Sequence, residues 1–208
     1  MSRLTSEFFL RDTVEVAQDL LGRYLVRNIG GEMLICQITE TEAYVGAIDK
    51  ACHAYGGRNT PRTRTLYSAP GTTYVYLIYG MYHCLNFVTE PEGTASAVLI
   101  RGCAPVYNVD AISRARFTRE FDDLSAYQRK NFLNGPGKLC KGLLIDKQLN
   151  NLPCGSNELY LADEIPELGL PCRSSSFSYH TGKRIGIDYA EEAIDFPWRF
   201  WITEDISC

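Results

Sequence analysis

Apolar and polar positions alternate with two different periods along the chain. Asp12-Thr13 can cap a short helix in which Val14, Ala17, Leu20 and Leu21 share one face, and Gly22 can end it. Two strands are predicted next, at 23–27 and 32–44, joined through Asn28-Ile29-Gly30-Gly31, a hairpin signal. If the period of two persists along the second strand, Leu34, Cys36 and Ile38 share a face with Glu40, Glu42 and Tyr44. The carboxylates then continue a buried face, which is costly unless they have partners or a task. Residues 55–71, rich in Gly, Asn, Thr, Pro and Arg, read as loop. An antiparallel meander follows: a strand over 72–79, a turn at Gly80-Met81, a strand over 82–88, a turn at Pro91-Glu92-Gly93 and a strand over 95–101. The polar stretch 108–130 is helical in parts, and Pro136 opens another helix through Leu139, Cys140, Leu143 and Leu144. Residues 155–178 read as mostly irregular with a brief strand near Leu159, and Ile185-Gly186-Ile187 and 198–202 as closing strands. There is no repeat, low-complexity tract or linker. The pattern predicts a single α+β domain, mostly an antiparallel curved β-sheet with flanking helices and a protruding β-hairpin over 72–88.

Charge changes this picture. The 208-residue chain carries a net −4, yet no acidic residue occurs between Lys50 and Thr89. That stretch holds Lys50, Arg58, Arg62 and Arg64 with six of the thirteen tyrosines; elsewhere 17 basic face 25 acidic residues, a balance of −8. Cations beside aromatic rings suit a nucleic-acid face, the first for phosphates and the second for bases. Hydrophobic content of 45% and charged content of 22% are ordinary for a globular protein. No apolar run approaches the roughly 20 residues of a membrane helix, and the N-terminus has no secretory core, so an intracellular protein without membrane partners is expected. The eight cysteines, Cys36, Cys52, Cys84, Cys103, Cys140, Cys154, Cys172 and Cys208, are diffusely spaced and predicted to be free thiols. Cys52-His53 and His83-Cys84 lack the spacing of zinc ligands, and no metal is expected.

Several residues carry candidate chemistry. Glu42 on an apolar strand face can take a proton from a water; the plain alternative is a strand-end glutamate paired with an arginine, for which Arg101 is the obvious partner. Glu40, two residues away, is a candidate for a carboxylate pair with it. Tyr76 and Tyr79 near a hairpin tip either enter a base stack or simply pack on the sheet. Arg58, Thr60, Arg62 and Arg64 lie in a loop able to approach phosphates, or one that is merely solvated. His53 reads as a base-edge contact or a structural histidine, and Asn86 as a specificity element or a structural hydrogen bond. Walker A, dinucleotide, G-x-S-x-G and H-E-x-x-H motifs are absent, which removes support for common ATPases, Rossmann enzymes and serine hydrolases.

At these residues the chain resembles the alkyladenine (3-methyladenine) DNA glycosylases of the mammalian type. The matching text is Glu40-Thr41-Glu42-Ala43-Tyr44, His53, Gly56-Gly57-Arg58-Asn59-Thr60-Pro61-Arg62, Pro70-Gly71-Thr72, Tyr74-Val75-Tyr76, Ile78-Tyr79-Gly80-Met81-Tyr82, Asn86 and Leu99-Ile100-Arg101. Lys138-Leu139-Cys140 and Arg184-Ile185-Gly186 also fit, while residues 107–132 match loosely and a pI near 5.4 is low for a DNA enzyme. The resemblance implies a monofunctional enzyme, without metal or organic cofactor, that excises damaged purines from double-stranded DNA; a monomer suits that task. Glu42 would activate the attacking water, held with the help of Arg101 and the backbone of Ile185. Tyr44, His53 and Tyr76 would line the base pocket, and Asn86 would help decide which purines fit. Tyr79 would be the wedge, flanked in the minor groove by Met81 and Tyr82. No lysine falls in the matched pocket motifs, which fits hydrolysis by water without a Schiff base.

Overall fold

The computed structural model describes residues 2–173 and 178–202. Nine strands among these residues form one antiparallel sheet, which curls into a half-barrel. They are β1 (Ser2–Arg3), β2 (Tyr24–Ile29), β3 (Glu32–Tyr44), β4 (Thr73–Ile78), β5 (Tyr82–Thr89), β6 (Ser96–Tyr107), β7 (Leu159–Glu164), β8 (His180–Gly182) and β9 (Arg199–Trp201). The order is β1-β7-β2-β3-β6-β5-β4. β3 is the spine. One edge pairs with β6 throughout, and the other pairs first with β2 and then, from Glu40 to Glu42, with β9.

Five short helices complete the α+β fold: α1 (Ser6–Phe9), α2 (Thr13–Asp19), α3 (Val109–Phe117), α4 (Ala126–Lys130) and α5 (Pro136–Gly142). The Asp12 carboxylate caps α2, accepting from the N–H groups of Val14 (2.9 Å) and Glu15 (3.1 Å). Pro136 starts α5, where a missing N–H costs nothing. Val16, Ala17, Leu20 and Leu21 pack with Leu139, Cys140 and Leu143 on Leu34, Cys36 and Ile38 of β3, forming the main core.

Paired irregularities in β3 and β6 set up everything that follows. Ile38 pairs with Cys103 and Glu40 with Gly102, so Thr39 is an extra residue in β3; Thr41 then pairs with Ile100, leaving Arg101 extra in β6. Bulges of this kind re-aim side chains. Beyond them Ala43 joins the main core and Thr41 Oγ1 donates to Ala17 O of α2 at 2.7 Å. Glu42 and Tyr44 consequently point to the opposite face from Leu34, Cys36 and Ile38. The expectation that the carboxylates continue that core face is corrected: the period of two breaks at Thr39.

Other sequence expectations shift less. The hairpin connection is Tyr79-Gly80-Met81, one residue longer than the expected Gly80-Met81. The brief strand near Leu159 is a six-residue strand paired on both edges, to β1 and β2. Ile185-Gly186-Ile187 is a bend and not a strand, because Gly186 adopts φ 76°; β9 pairs with β8 on the edge away from β3. Seven cysteines are free, while Cys208 and the 174–177 part of the predicted irregular stretch lie outside the described residues. No helix among the described residues is long and apolar enough to cross a membrane.

Candidate active site

On the face opposite the main core, β3, β4, β5 and β6 form the floor of a cleft of about 580 Å³. Glu42, Tyr44, His53, Tyr76, Arg101 and Ile185 all line it, as do Tyr79 and Tyr82 from the hairpin. The two strand bulges bring Glu42 and Arg101 here, although they lie 59 residues apart.

Glu42 is only 1% exposed. Three donors converge on it: Arg101 Nε (3.0 Å) and the Ile185 N–H (2.9 Å) on Oε1, and the Tyr44 hydroxyl (2.8 Å) on Oε2. Burial pushes its pKa above the usual carboxylate value; Arg101, the Ile185 N–H and the Tyr44 hydroxyl pull back down, and Glu40 adds to the rise. An ionised carboxylate offers about four acceptor positions, so these donors leave one on Oε2. Glu40 and Glu42 share Arg101 Nε between them. Glu40 is held chiefly by Arg199 Nε at 2.5 Å, with Arg101 Nε at 3.4 Å.

Next to the acid the walls are aromatic. His53 Nδ1 and the Tyr74 hydroxyl are 2.9 Å apart, and the His53 ring meets Tyr76 edge-on with centroids 4.6 Å apart. Burial, with Arg62 nearby, lowers the His53 pKa to about 4, so the imidazole is neutral at physiological pH. A smaller recess continues behind these rings, lined by Tyr44, His53, Tyr74, Tyr76 and Asn86. Asn86 is buried there and its Nδ2 donates to Tyr74 O at 3.0 Å. Arg62 lies over Tyr76, 5.6 Å from the ring centroid.

At the hairpin tip Tyr79 is 85% exposed. Tyr79 (φ 51°) and Gly80 (φ 70°) both adopt positive φ, and Met81 N–H closes the turn onto Ile78 O at 3.2 Å. Positive φ at both centres matches the twist of a hairpin, and glycine or asparagine is favoured there; a tyrosine is not. Met81 is exposed beside it, on a neighbouring groove shared with Tyr82. Arg58, Thr60 and Arg64 do not line the cleft. They occupy one exposed loop, ordered by Thr63, whose Oγ1 donates to Arg58 O (2.9 Å) and accepts from Thr60 N–H (2.9 Å).

Sequence reasoning missed several cleft residues. Lys138 lines the wall, contrary to the expectation of a pocket without lysine, and its Nζ is tied to Asn131 Oδ1 (2.9 Å) and Asn134 Oδ1 (2.8 Å). Pro136 at the start of α5 was the available signal, since Lys138 then sits in the first turn of that helix. Arg116, Cys84 and Tyr189 also reach the cleft and carried no local signal. No group of three His, Cys, Asp or Glu that could hold a metal occurs among the described residues.

Likeness to known proteins runs along almost the whole chain. The family model for methylpurine-DNA glycosylase matches residues 7–206. A Clostridium perfringens (strain 13) protein provisionally named 3-methyladenine DNA glycosylase is 52% identical over 204 residues, covering 98% of this chain and 97% of the relative. A Clostridium botulinum (strain Loch Maree) protein with the same provisional name is 47% identical over 205 residues, with the same coverage.

Proposed function

The chain belongs to the methylpurine-DNA glycosylase family, and from that premise we propose that it swings a damaged purine out of duplex DNA and hydrolyses its N-glycosidic bond, leaving an abasic site. DNA repair by a glycosylase that binds DNA and acts on alkylated bases follows from the family; the steps below are the reading this geometry supports best. A base inside a duplex is out of reach, so extrusion comes first, at a cost of a few kcal/mol. Tyr79 fills the gap and restacks the neighbours, with Met81 and Tyr82 alongside in the minor groove. The extruded purine lies between Tyr44 and Tyr76, its edge toward His53, with Asn86 limiting which purines fit. Arg58, Thr60, Arg62 and Arg64 engage the phosphates.

The observation that carries this reading is Glu42, buried at the floor of a ring-lined cleft and gripped by Arg101, Ile185 and Tyr44. The remaining acceptor position on Oε2 receives a water, and the carboxylate takes its proton as the water attacks the anomeric carbon. Its charge also stabilises the positive character that develops on the deoxyribose as the base leaves. The enzyme is monofunctional in this reading: water is the nucleophile, and Lys138, tied to two side-chain amides, forms no Schiff base.

The test is an excision assay on duplexes carrying single methylated, deaminated or etheno-bridged purines. Wild type yields abasic sites that break only on alkali, and Glu42→Gln binds the same duplexes while excising about 10²–10⁴-fold more slowly. Borohydride gives no protein–DNA crosslink. No excision by wild type on any lesion refutes the glycosylase reading; undiminished excision by Glu42→Gln removes Glu42 as the base; a trapped crosslink removes the monofunctional step.

A further inference from the structure

Asp49 and Arg184, 135 residues apart, meet behind the cleft wall with both side chains fully buried. The guanidinium grips the carboxylate with two prongs, Nη1 to Oδ2 at 2.5 Å and Nη2 to Oδ1 at 2.8 Å. The same nitrogens also donate to Ala43 O (2.8 Å) and Ala193 O (3.2 Å). Asp49 accepts from the N–H groups of Val45 (3.1 Å) and Ala51 (3.0 Å). One pair thus fastens the end of β3, the loop leading to His53, the loop carrying Ile185 and the turn Glu191–Asp195.

Neither residue lines the cleft. Stability alone is a poor reason for such a pair, because apolar side chains of similar volume generally serve as well or better. Its position relative to Glu42 supplies another. Ala43, whose carbonyl Arg184 holds, lies between Glu42 and Tyr44. The Tyr44 ring rests on the guanidinium, 4.8 Å from its centroid to Cζ. Ile185, the residue after Arg184, donates its N–H to Glu42. A single buried fork therefore places two of the three donors to the Glu42 carboxylate.

We propose that the Asp49–Arg184 pair is a positioning device for Glu42, holding the Tyr44 hydroxyl and the Ile185 N–H against the carboxylate so that it stays ionised and fixed in the cleft. The inference rests on Glu42 acting as the base. The other charged or titratable groups facing Glu42 are Arg101 from β6, Cys84 from β5 and Glu40 on its own strand, the last tied to Arg199 of β9. With the two positioned donors loosened, Arg101 alone opposes burial and Glu40, and Glu42 holds its proton to higher pH.

The experiment is the pH dependence of single-turnover excision, with a thermal melt of each protein. It compares wild type, Arg184→Lys, which keeps the charge but loses the fork, and Asp49→Leu/Arg184→Met, which strands no charge. The expected result is an acid limb displaced to higher pH in both variants, with the rate at the acid end falling on the order of tenfold relative to the plateau. Lesion affinity should fall as well, because the pair also carries the Tyr44 ring against which the purine stacks. A variant that melts cooperatively yet keeps the wild-type acid limb overturns the inference. Should neither variant fold, Ile185→Pro, which also restrains the backbone of Arg184, deletes the transmitted N–H, and an unmoved limb there overturns it equally. Absence of excision by wild type sinks the glycosylase reading; wild-type excision with an unmoved limb in a folded variant sinks only this inference.

Discussion

Replacing Tyr79 by glycine should make the protein more stable and a worse enzyme on duplex DNA. Tyr79 sits at φ 51°, a region that costs an L-residue about 1–2 kcal/mol. Its side chain is 85% exposed, so removing it uncovers almost no packed surface. Glycine relieves the backbone strain but brings greater freedom to the unfolded chain, worth roughly 0.5–1 kcal/mol. The net expectation is a gain of about 0.5–1 kcal/mol for Tyr79→Gly and no change beyond about 0.5 kcal/mol for Tyr79→Ala, which keeps the strain. Urea denaturation at constant m-value reads both. On the functional side, an aromatic ring stacked against bases contributes about 1–3 kcal/mol, so duplex excision should slow roughly 5- to 150-fold in either variant. The same lesion in a single strand has no gap to fill and should lose far less. A Tyr79→Gly protein less stable than wild type would refute the strain argument. An equal loss on single- and double-stranded substrates would refute the wedge.

Three further outcomes follow from charge. Neutralising Arg58, Arg62 and Arg64 together to glutamine should flatten the plot of log affinity against log salt by up to about 2.7, near 0.9 for each phosphate that is no longer neutralised, on damaged and undamaged duplex alike; an unchanged slope would remove the loop from the DNA face. His53 is held neutral in the fold, with its pKa lowered to about 4 from 6.5, so the unfolded chain binds the proton first and stability falls as pH drops from 6.5 toward 4. The loss should be on the order of 2–3 kcal/mol, and His53→Gln should flatten that part of the stability–pH curve. Glu42 has the opposite sign: its folded pKa is raised, so its contribution is full below 4.5 and is lost as pH rises through the folded value. Glu42→Gln should therefore denature at higher urea than wild type at pH 8, with the advantage gone below pH 4; equal midpoints at pH 8 would show that burial does not strain this acid.

Much of the fold was legible because its signals are local. The Asp12 cap, Pro136 at the start of α5 and the alternating Thr, Tyr and Val of β4 each specify an element within a few residues. Such signals say where an element lies but not what it faces. The run Thr39-Glu40-Thr41-Glu42 is polar throughout and does not mark a face, and only pairing with β6 reveals that one residue is extra. Ile185-Gly186-Ile187 has a strand's pattern, yet the positive φ at Gly186 bends it, and that bend is what delivers the Ile185 N–H to Glu42. The family resemblance pointed to Glu42, Arg101, Tyr44, His53 and Tyr76. It was silent on Lys138, Tyr189 and the Asp49–Arg184 pair as parts of the cleft and its support, which depend on segments remote in the chain meeting in the fold.

Several departures from local rules gather at one site, although positive φ at non-glycine residues also occurs away from it, at Glu90 and Asn108 for example. A tyrosine at positive φ, an acid buried at 1% exposure, an extra residue in each of two facing strands and a fully buried ion pair all surround one cleft. The Asp12 cap, the β4 strand and the main core agree with the sequence that encodes them, and agreement across levels is what gives a chain one stable structure. Each departure has a local cost that the rest of the fold must offset, and each lies on or beside the cleft. The bulges turn Glu42 away from the main core toward the cleft. The ion pair fixes two of its donors, and the strained turn holds a ring out in water. A sheet built only for stability would have kept the alternation unbroken, put a glycine at position 79 and an apolar residue at position 42. The chain does none of these, and the three exceptions become intelligible together once an extruded base is placed between the rings with the acid beneath it.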